Sequence, residues 1–189
     1  LTDRDGNDRP AADEEELYKL LGLAYIPPEL REGRTEISLA ATGMVPRLLS
    51  CADITGVFHA HTVYSDGSAT LMEMAAECRR RGWSYLGITD HSQTAVYARG
   101  LSIDAVKMQR REIDALNEEL GDFVILAGIE SDILADGSLD YSDDMLAEFD
   151  FVIASIHSHF RQSQADMTRR IQRAMENRYV TMLGHPTGR

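Results

Sequence analysis

Cysteine, positive charge and long apolar runs are all scarce in this chain of 189 residues. Only two cysteines occur, Cys51 and Cys78, and their separation matches neither a metal-binding spacing nor a disulfide framework. We therefore predict two ordinary thiols in a reducing compartment, the cytoplasm. No stretch of about 18 apolar residues occurs, which argues against a membrane-spanning helix.

Basic residues are outnumbered, with 19 Lys and Arg against 31 Asp and Glu, for a formal net charge of −12. This balance argues against a protein that holds duplex nucleic acid by a broad basic face. A nucleic-acid substrate is still compatible with it, because divalent cations bound in an acidic pocket reverse the local charge.

The sequence changes character near residue 50. In residues 1–50, Asp13 can cap a helix that Gly22 ends, and Pro27 and Pro28 then impose an extended bend. We interpret residues 1–50 as a connector and docking segment, and residues 51–189 as the functional domain.

Short apolar runs alternate with helical periodicity in the second part. Strands are predicted at 54–61, 83–89, 123–129, 151–156 and 180–183. Helices are predicted at 69–81, 103–120, 145–149 and 165–177. This alternation indicates an α/β fold with a parallel sheet and outer helices, either open or closed into a barrel.

All six histidines lie at or just beyond the ends of predicted strands: His59, His61, His91, His157, His159 and His185. The carboxyl ends of parallel strands carry the chemistry of α/β barrels, so these side chains are expected to converge. His59 and His61 share one face of their strand because side chains alternate. Asp66 follows in a turn that can fold back, and Glu130 ends another strand.

Imidazole mixed with carboxylate suits zinc, manganese or iron better than calcium or magnesium. The groups outnumber the ligands of one tetrahedral site, so the pattern favours more than one ion, with Glu130 as the bridge. Other residues are open to simpler interpretations. Asp90 is interpreted as a cap of the following segment and Asp132 as a turn residue, while His159 is either a ligand or a solvated neighbour.

Together these motifs resemble the PHP (polymerase and histidinol phosphatase) superfamily, from about residue 55 to residue 189. The motifs are His59-Ala60-His61-Thr62, Ser65-Asp66-Gly67, Ile88-Thr89-Asp90-His91, Gly128-Ile129-Glu130, Ser155-Ile156-His157-Ser158 and Gly184-His185-Pro186. The sequence of these segments is similar above all to that of the PHP domain of bacterial family X DNA polymerases. Residues 21–32 resemble the connector that joins that domain to the upstream polymerase module.

The resemblance implies a distorted barrel of seven β/α units that holds two or three divalent ions, manganese or zinc. It assigns His59 and His61 to one ion, Glu130 to a bridge, His157 and His185 to a second ion, and Asp66 and His91 to a third. The implied activity is 3′-5′ exonuclease cleavage of DNA.

Two departures from the family pattern affect these expectations. Val57-Phe58 stands where Asp-Leu is usual, which changes packing and no ligand. The final Asp-x-His motif is absent, so we expect a C-terminally truncated, incomplete barrel that holds its ions incompletely.

In the expected mechanism, two ions share a hydroxide and aim it at phosphorus. Glu130 and His157 are the candidate catalytic side chains. Arg99 and Arg161 are candidates for phosphate binding, with solvated surface arginines as the alternative. Two other functions stay open: a small-molecule phosphatase of the histidinol-phosphate type, and a non-catalytic module stabilised by metal.

Overall fold

The computed structural model describes residue 6, residue 8 and residues 10–187. The chain divides into two compact units, Leu1–Cys51 and Ala52–Arg189. The described helices include none that is both long and apolar enough to cross a membrane. Both cysteines are free thiols, with Cys51 exposed and Cys78 buried.

The first unit contains two short helices, α1 (Glu14–Leu20) and α2 (Glu36–Ala41), with a 3₁₀ turn at Pro28–Leu30 between them. The side chain of Asp13 accepts a hydrogen bond from the backbone of Glu16, so the predicted cap of α1 is confirmed. Helix α2 lies beside a charged segment and was not predicted from the sequence.

The second unit is a five-stranded parallel sheet whose spatial order, β1-β2-β3-β4-β5, follows the chain. The strands are β1 (Gly56–Val57), β2 (Tyr85–Ile88), β3 (Val124–Asp132), β4 (Phe151–Ser155) and β5 (Val180–Leu183). Neighbours in chain order form a barrel wall, whereas a doubly wound sheet reverses its order at a switch point. The fold is thus α/β with a curled half-barrel, as predicted.

A helix follows each of the first four strands: α3 (Leu71–Arg80), α4 (Ile103–Leu120), α5 (Asp143–Leu146) and α6 (Gln164–Met175). Each begins after a Ser or Thr whose hydroxyl accepts from a backbone N–H in the first turn: Thr70, Ser102, Ser142 and Ser163. The buried faces of α3 and α4 pack against β2 and β3 in one apolar cluster.

The sheet departs from the predicted bounds at two strands that matter for function. Strand β1 ends at Val57, so the prediction that it continues to His61 is wrong. Residues 62–67 fold back there, since the Gly67 amide donates to the Thr62 carbonyl. Strand β3 is longer than predicted and ends at Asp132, because residues 130–132 pair with residues 153–155 of β4.

Candidate metal centre

One buried carboxylate lies at the focus of the rim where the strands end. The Glu130 side chain, in β3, is 1% exposed, and each of five histidines places a ring nitrogen near one of its oxygens. The nitrogen–oxygen distances are 3.2 Å for His59, 3.4 Å for His61, 3.2 Å for His91, 3.3 Å for His157 and 3.0 Å for His185. Five of the six histidines therefore converge as predicted.

The first and last strands of the sheet both contribute to this rim. In a flat sheet with strands about 4.8 Å apart, the first and fifth strands would lie roughly 19 Å apart. The rings of His59 and His185, which follow those strands, have centroids only 6.1 Å apart. Curvature of the sheet and the turn of the chain past β1 bring them together.

The described residues form three overlapping groups, and within each group the ligand atoms lie within 4.8 Å of one another. They are His59 with His61 and Glu130, His61 with Asp66 and His91, and His91 with Glu130 and His157. His185 adds its Nε2 at 3.3 Å from Nε2 of His157. Seven side chains thus surround one small volume.

Two buried nitrogens test whether divalent cations fit these groups. Nδ1 of His61 and Nδ1 of His91 lie 3.3 and 3.2 Å from oxygens of Asp66 and Glu130, yet neither makes a hydrogen bond within the described part of the chain. A cation held between nitrogen and oxygen would satisfy both atoms. The mixed donor set therefore fits divalent metal ions.

Asp66 reaches the cluster from a loop that a second carboxylate holds in place. Its oxygens lie 3.3 Å from His61 Nδ1 and 3.7 Å from His91 Nε2, with the side chain 48% exposed. Asp90 is fully buried and accepts hydrogen bonds from Thr62, Ser65 and Gln109. Its interpretation as a cap of the following segment is wrong, because it ties the loop before Asp66 to β2 and α4.

Asp132 belongs to the site and not to a turn, which corrects the sequence-based interpretation. It ends β3, is 4% exposed, and its Oδ1 lies 2.6 Å from Nδ1 of His157. Residues 130 and 132 share one face of the strand because side chains alternate, and that period of two is the signal in the sequence.

Charge within the site is strongly coupled. Burial opposes ionisation of Glu130, yet its contacts with His157 and His59 hold its pKa well below the usual value. Burial also disfavours protonation of His157, but Asp132 and Glu130 raise its pKa to about 9. Burial and the neighbouring His91 lower the pKa of His61. The direction of these shifts favours an ionised Glu130 and a protonated His157 when no metal is bound.

Three candidate residues lie outside the cluster. His159 is exposed, has a positive φ of 55°, and belongs to none of the ligand groups formed by the described residues. Arg99 and Arg161 are both exposed, and no contact with the cluster is found for either guanidinium in the described chain.

Two families match the sequence. Residues 58–185 match the PHP domain, and residues 1–32 match the DNA polymerase beta thumb. The chain is 46% identical to the DNA polymerase/3′-5′ exonuclease PolX of Bacillus subtilis over 176 residues, which are 93% of this chain and 30% of that protein.

More distant relatives match a smaller share of the chain. A probable phosphatase of Thermoanaerobacter sp. is 31% identical over 68% of this chain and 52% of that protein. A probable phosphatase of Caldanaerobacter subterraneus is 29% identical over 68% of this chain and 50% of that protein. The chain thus spans about half or less of each of these relatives.

Proposed function

The chain belongs to the PHP domain family, and from this premise we propose that it is a metal-dependent phosphoesterase that cleaves DNA phosphodiesters from a 3′ end. One observation carries the proposal. Five imidazoles converge on the buried carboxylate of Glu130 at a single rim, and two of their buried nitrogens make no hydrogen bond to any residue that the structure describes.

The site would hold two or three divalent ions, with manganese or zinc suited to its donors. His59 and His61 would bind one ion, Glu130 would bridge, His157 and His185 would bind a second, and Asp66 and His91 a third. When bound, such ions supply Lewis acidity to a phosphate ester and its attacking water.

The protein's own groups then act by orientation and charge. Asp132 fixes the ring of His157, so that its Nε2 faces Glu130. The exposed guanidinium groups of Arg99 and Arg161 would hold phosphate oxygens at the mouth; solvated surface arginines are the alternative.

DNA as the substrate is supported by the relative from Bacillus subtilis, whose name includes a 3′-5′ exonuclease. The thumb match in residues 1–32 supports an upstream polymerase module. In this scheme residues 1–50 are the connector and residues 51–189 the catalytic domain. The two free thiols are compatible with a bacterial cytoplasm.

A direct test compares two substrates with manganese: a single-stranded oligonucleotide and a sugar phosphate. We expect oligonucleotide cleavage, its loss in Glu130→Gln, and its retention in Glu118→Gln, which changes an exposed residue of α4. Preferred turnover of the sugar phosphate would favour the phosphatase alternative. Metal-dependent stabilisation without any cleavage would favour a non-catalytic module.

Anomalous scattering from crystals would identify the element at each position. Ions at the three ligand groups would agree with the proposal. Crystals grown with manganese and zinc that hold neither ion at this rim would contradict it.

A further inference from the structure

Tyr97 stands at the edge of the metal centre and is open to solvent. It lies in the 3₁₀ helix Val96–Ala98, which follows β2. Its ring centroid is 5.9 Å from that of His91 and 6.3 Å from that of His157, at steep interplanar angles. The residue is nevertheless 70% exposed, so most of the ring is available to a partner.

The segment that carries Tyr97 is firmly anchored. Ala95 and Ala98 are buried on either side of it. The hydroxyl of Thr94 lies 2.9 Å from Asp132 and 3.0 Å from Asp140. The exposed ring is thus presented by a fixed backbone, which is what a binding subsite requires.

The side chain of Tyr97 carries no formal charge. With most of its surface in water, the ring also contributes little to the core. What Tyr97 offers is a flat, uncharged aromatic surface beside the ligands.

We propose that Tyr97 forms a stacking subsite for the base of the nucleotide whose phosphodiester is cut. The inference rests on the proposed function, since it needs a nucleotide at the site. The ring of Tyr97 lies 5.9 Å from that of His91 and 6.3 Å from that of His157, so a nucleotide whose phosphate is held among these ligands would place its base within reach of the tyrosine ring. Stacking accepts any base because every base has a flat π-face.

The charge of the chain favours this mode of binding. The formal net charge of −12 argues against a broad basic face that would hold a strand by its phosphates. Stacking of a base on an aromatic side chain contributes binding affinity without positive charge. A single-stranded or frayed end, with an unpaired base, is the form of DNA that this subsite accepts.

The test compares Tyr97→Ala and Tyr97→Phe with wild type in the full-length protein with manganese. The substrates are an oligonucleotide with a normal 3′-terminal nucleotide and one with an abasic 3′ end. We expect Tyr97→Ala to raise KM about 5- to 100-fold for the normal end, with kcat nearly unchanged. KM for the abasic end should not change, and Tyr97→Phe should behave as wild type.

Phe160→Ala serves as the matched control, because Phe160 is 65% exposed and no ring contact with the cluster histidines is found for it in the described chain. Metal content should be equal in all variants. Equal effects of Tyr97→Ala on both ends, or a similar defect in Tyr97→Phe, would overturn the stacking subsite. Wild type that cleaves neither oligonucleotide would overturn the proposed function itself, and this inference with it.

Discussion

Asp132 ends β3 and His157 follows the neighbouring strand β4, and Nδ1 of His157 is 2.6 Å from Oδ1 of Asp132. The contact turns the other nitrogen, Nε2, toward Glu130 at 3.3 Å. A carboxylate on the remote nitrogen of an imidazole ligand fixes its tautomer and raises its basicity. Asp132 therefore positions the ring of His157 and does not itself contact the reacting groups.

Replacing Asp132 by Asn should weaken manganese binding about 10- to 100-fold, because the amide no longer enforces the tautomer of His157. Isothermal titration calorimetry measures the effect. Asp136→Asn is the control, since Asp136 is exposed in the following turn. Unchanged affinity in Asp132→Asn would exclude the positioning role.

Acid should weaken the metal-free protein through Glu130. Burial opposes its ionisation, but His157 and His59 hold its folded-state pKa below the unfolded value of about 4.3. The ionised carboxylate thus stabilises the fold above that value, and its contribution is lost as pH falls through the folded-state pKa. The melting temperatures of wild type and Glu130→Gln, both without metal, should converge as pH falls below about 4. A gap that widens below that pH would contradict this.

Arg170 is a buried cation held by carbonyl groups. Only 2% of the residue is exposed, and its guanidinium donates to the backbone of Ile133, Leu134 and Ser158. The substitution Arg170→Met leaves these carbonyl groups without a donor. We expect the free energy of unfolding, measured with urea, to fall by about 3–5 kcal/mol.

The neighbouring Arg169 is the control for that experiment. Its side chain is 68% exposed and pairs with Asp166 on the surface, so Arg169→Met should cost less than about 1 kcal/mol. Arg170→Lys should recover only part of the loss, because one ammonium cannot span separated carbonyls. Equal stabilities of Arg170→Met and Arg169→Met would contradict this stabilising role of Arg170.

Asp90→Asn should loosen the loop that carries Asp66. The carboxylate accepts from two backbone amides and three side chains, and an amide cannot accept all of these bonds. We expect a cost of about 1–3 kcal/mol in unfolding free energy and the loss of one bound ion by mass-spectrometric metal analysis. Asp104→Asn, in the exposed first turn of α4, should change neither quantity. Full metal content in Asp90→Asn would contradict this role.

Elements whose limits are set by local chemistry could be predicted from sequence. Helix α4 has the predicted bounds, Ile103–Leu120, because Ser102 caps it and Gly121 follows its last turn. Strand β5 also matches, at Val180–Leu183. The convergence of the histidines followed from their positions at strand ends.

What the sequence did not reveal depends on contacts between distant segments. The apolar residues up to His61 look like one strand, but the chain leaves the sheet after Val57 and folds back. Asp90 and Asp132 read as ordinary cap and turn residues. The role of Asp90 depends on partners at least 19 residues away, which no local pattern encodes, whereas the alternation of side chains after Glu130 is the local signal for Asp132.

The meeting of His59 and His185 has a consequence for chain entropy. These residues are roughly 125 positions apart, so ions that share Glu130 and are held from both edges of the sheet would close the chain into one long loop in the folded state. Binding would stabilise that closed state by mass action, because the unfolded chain does not hold the ligands together. Chelation would then release the outer strands first, and amide hydrogen exchange should accelerate in β1 and β5 before it does in β3.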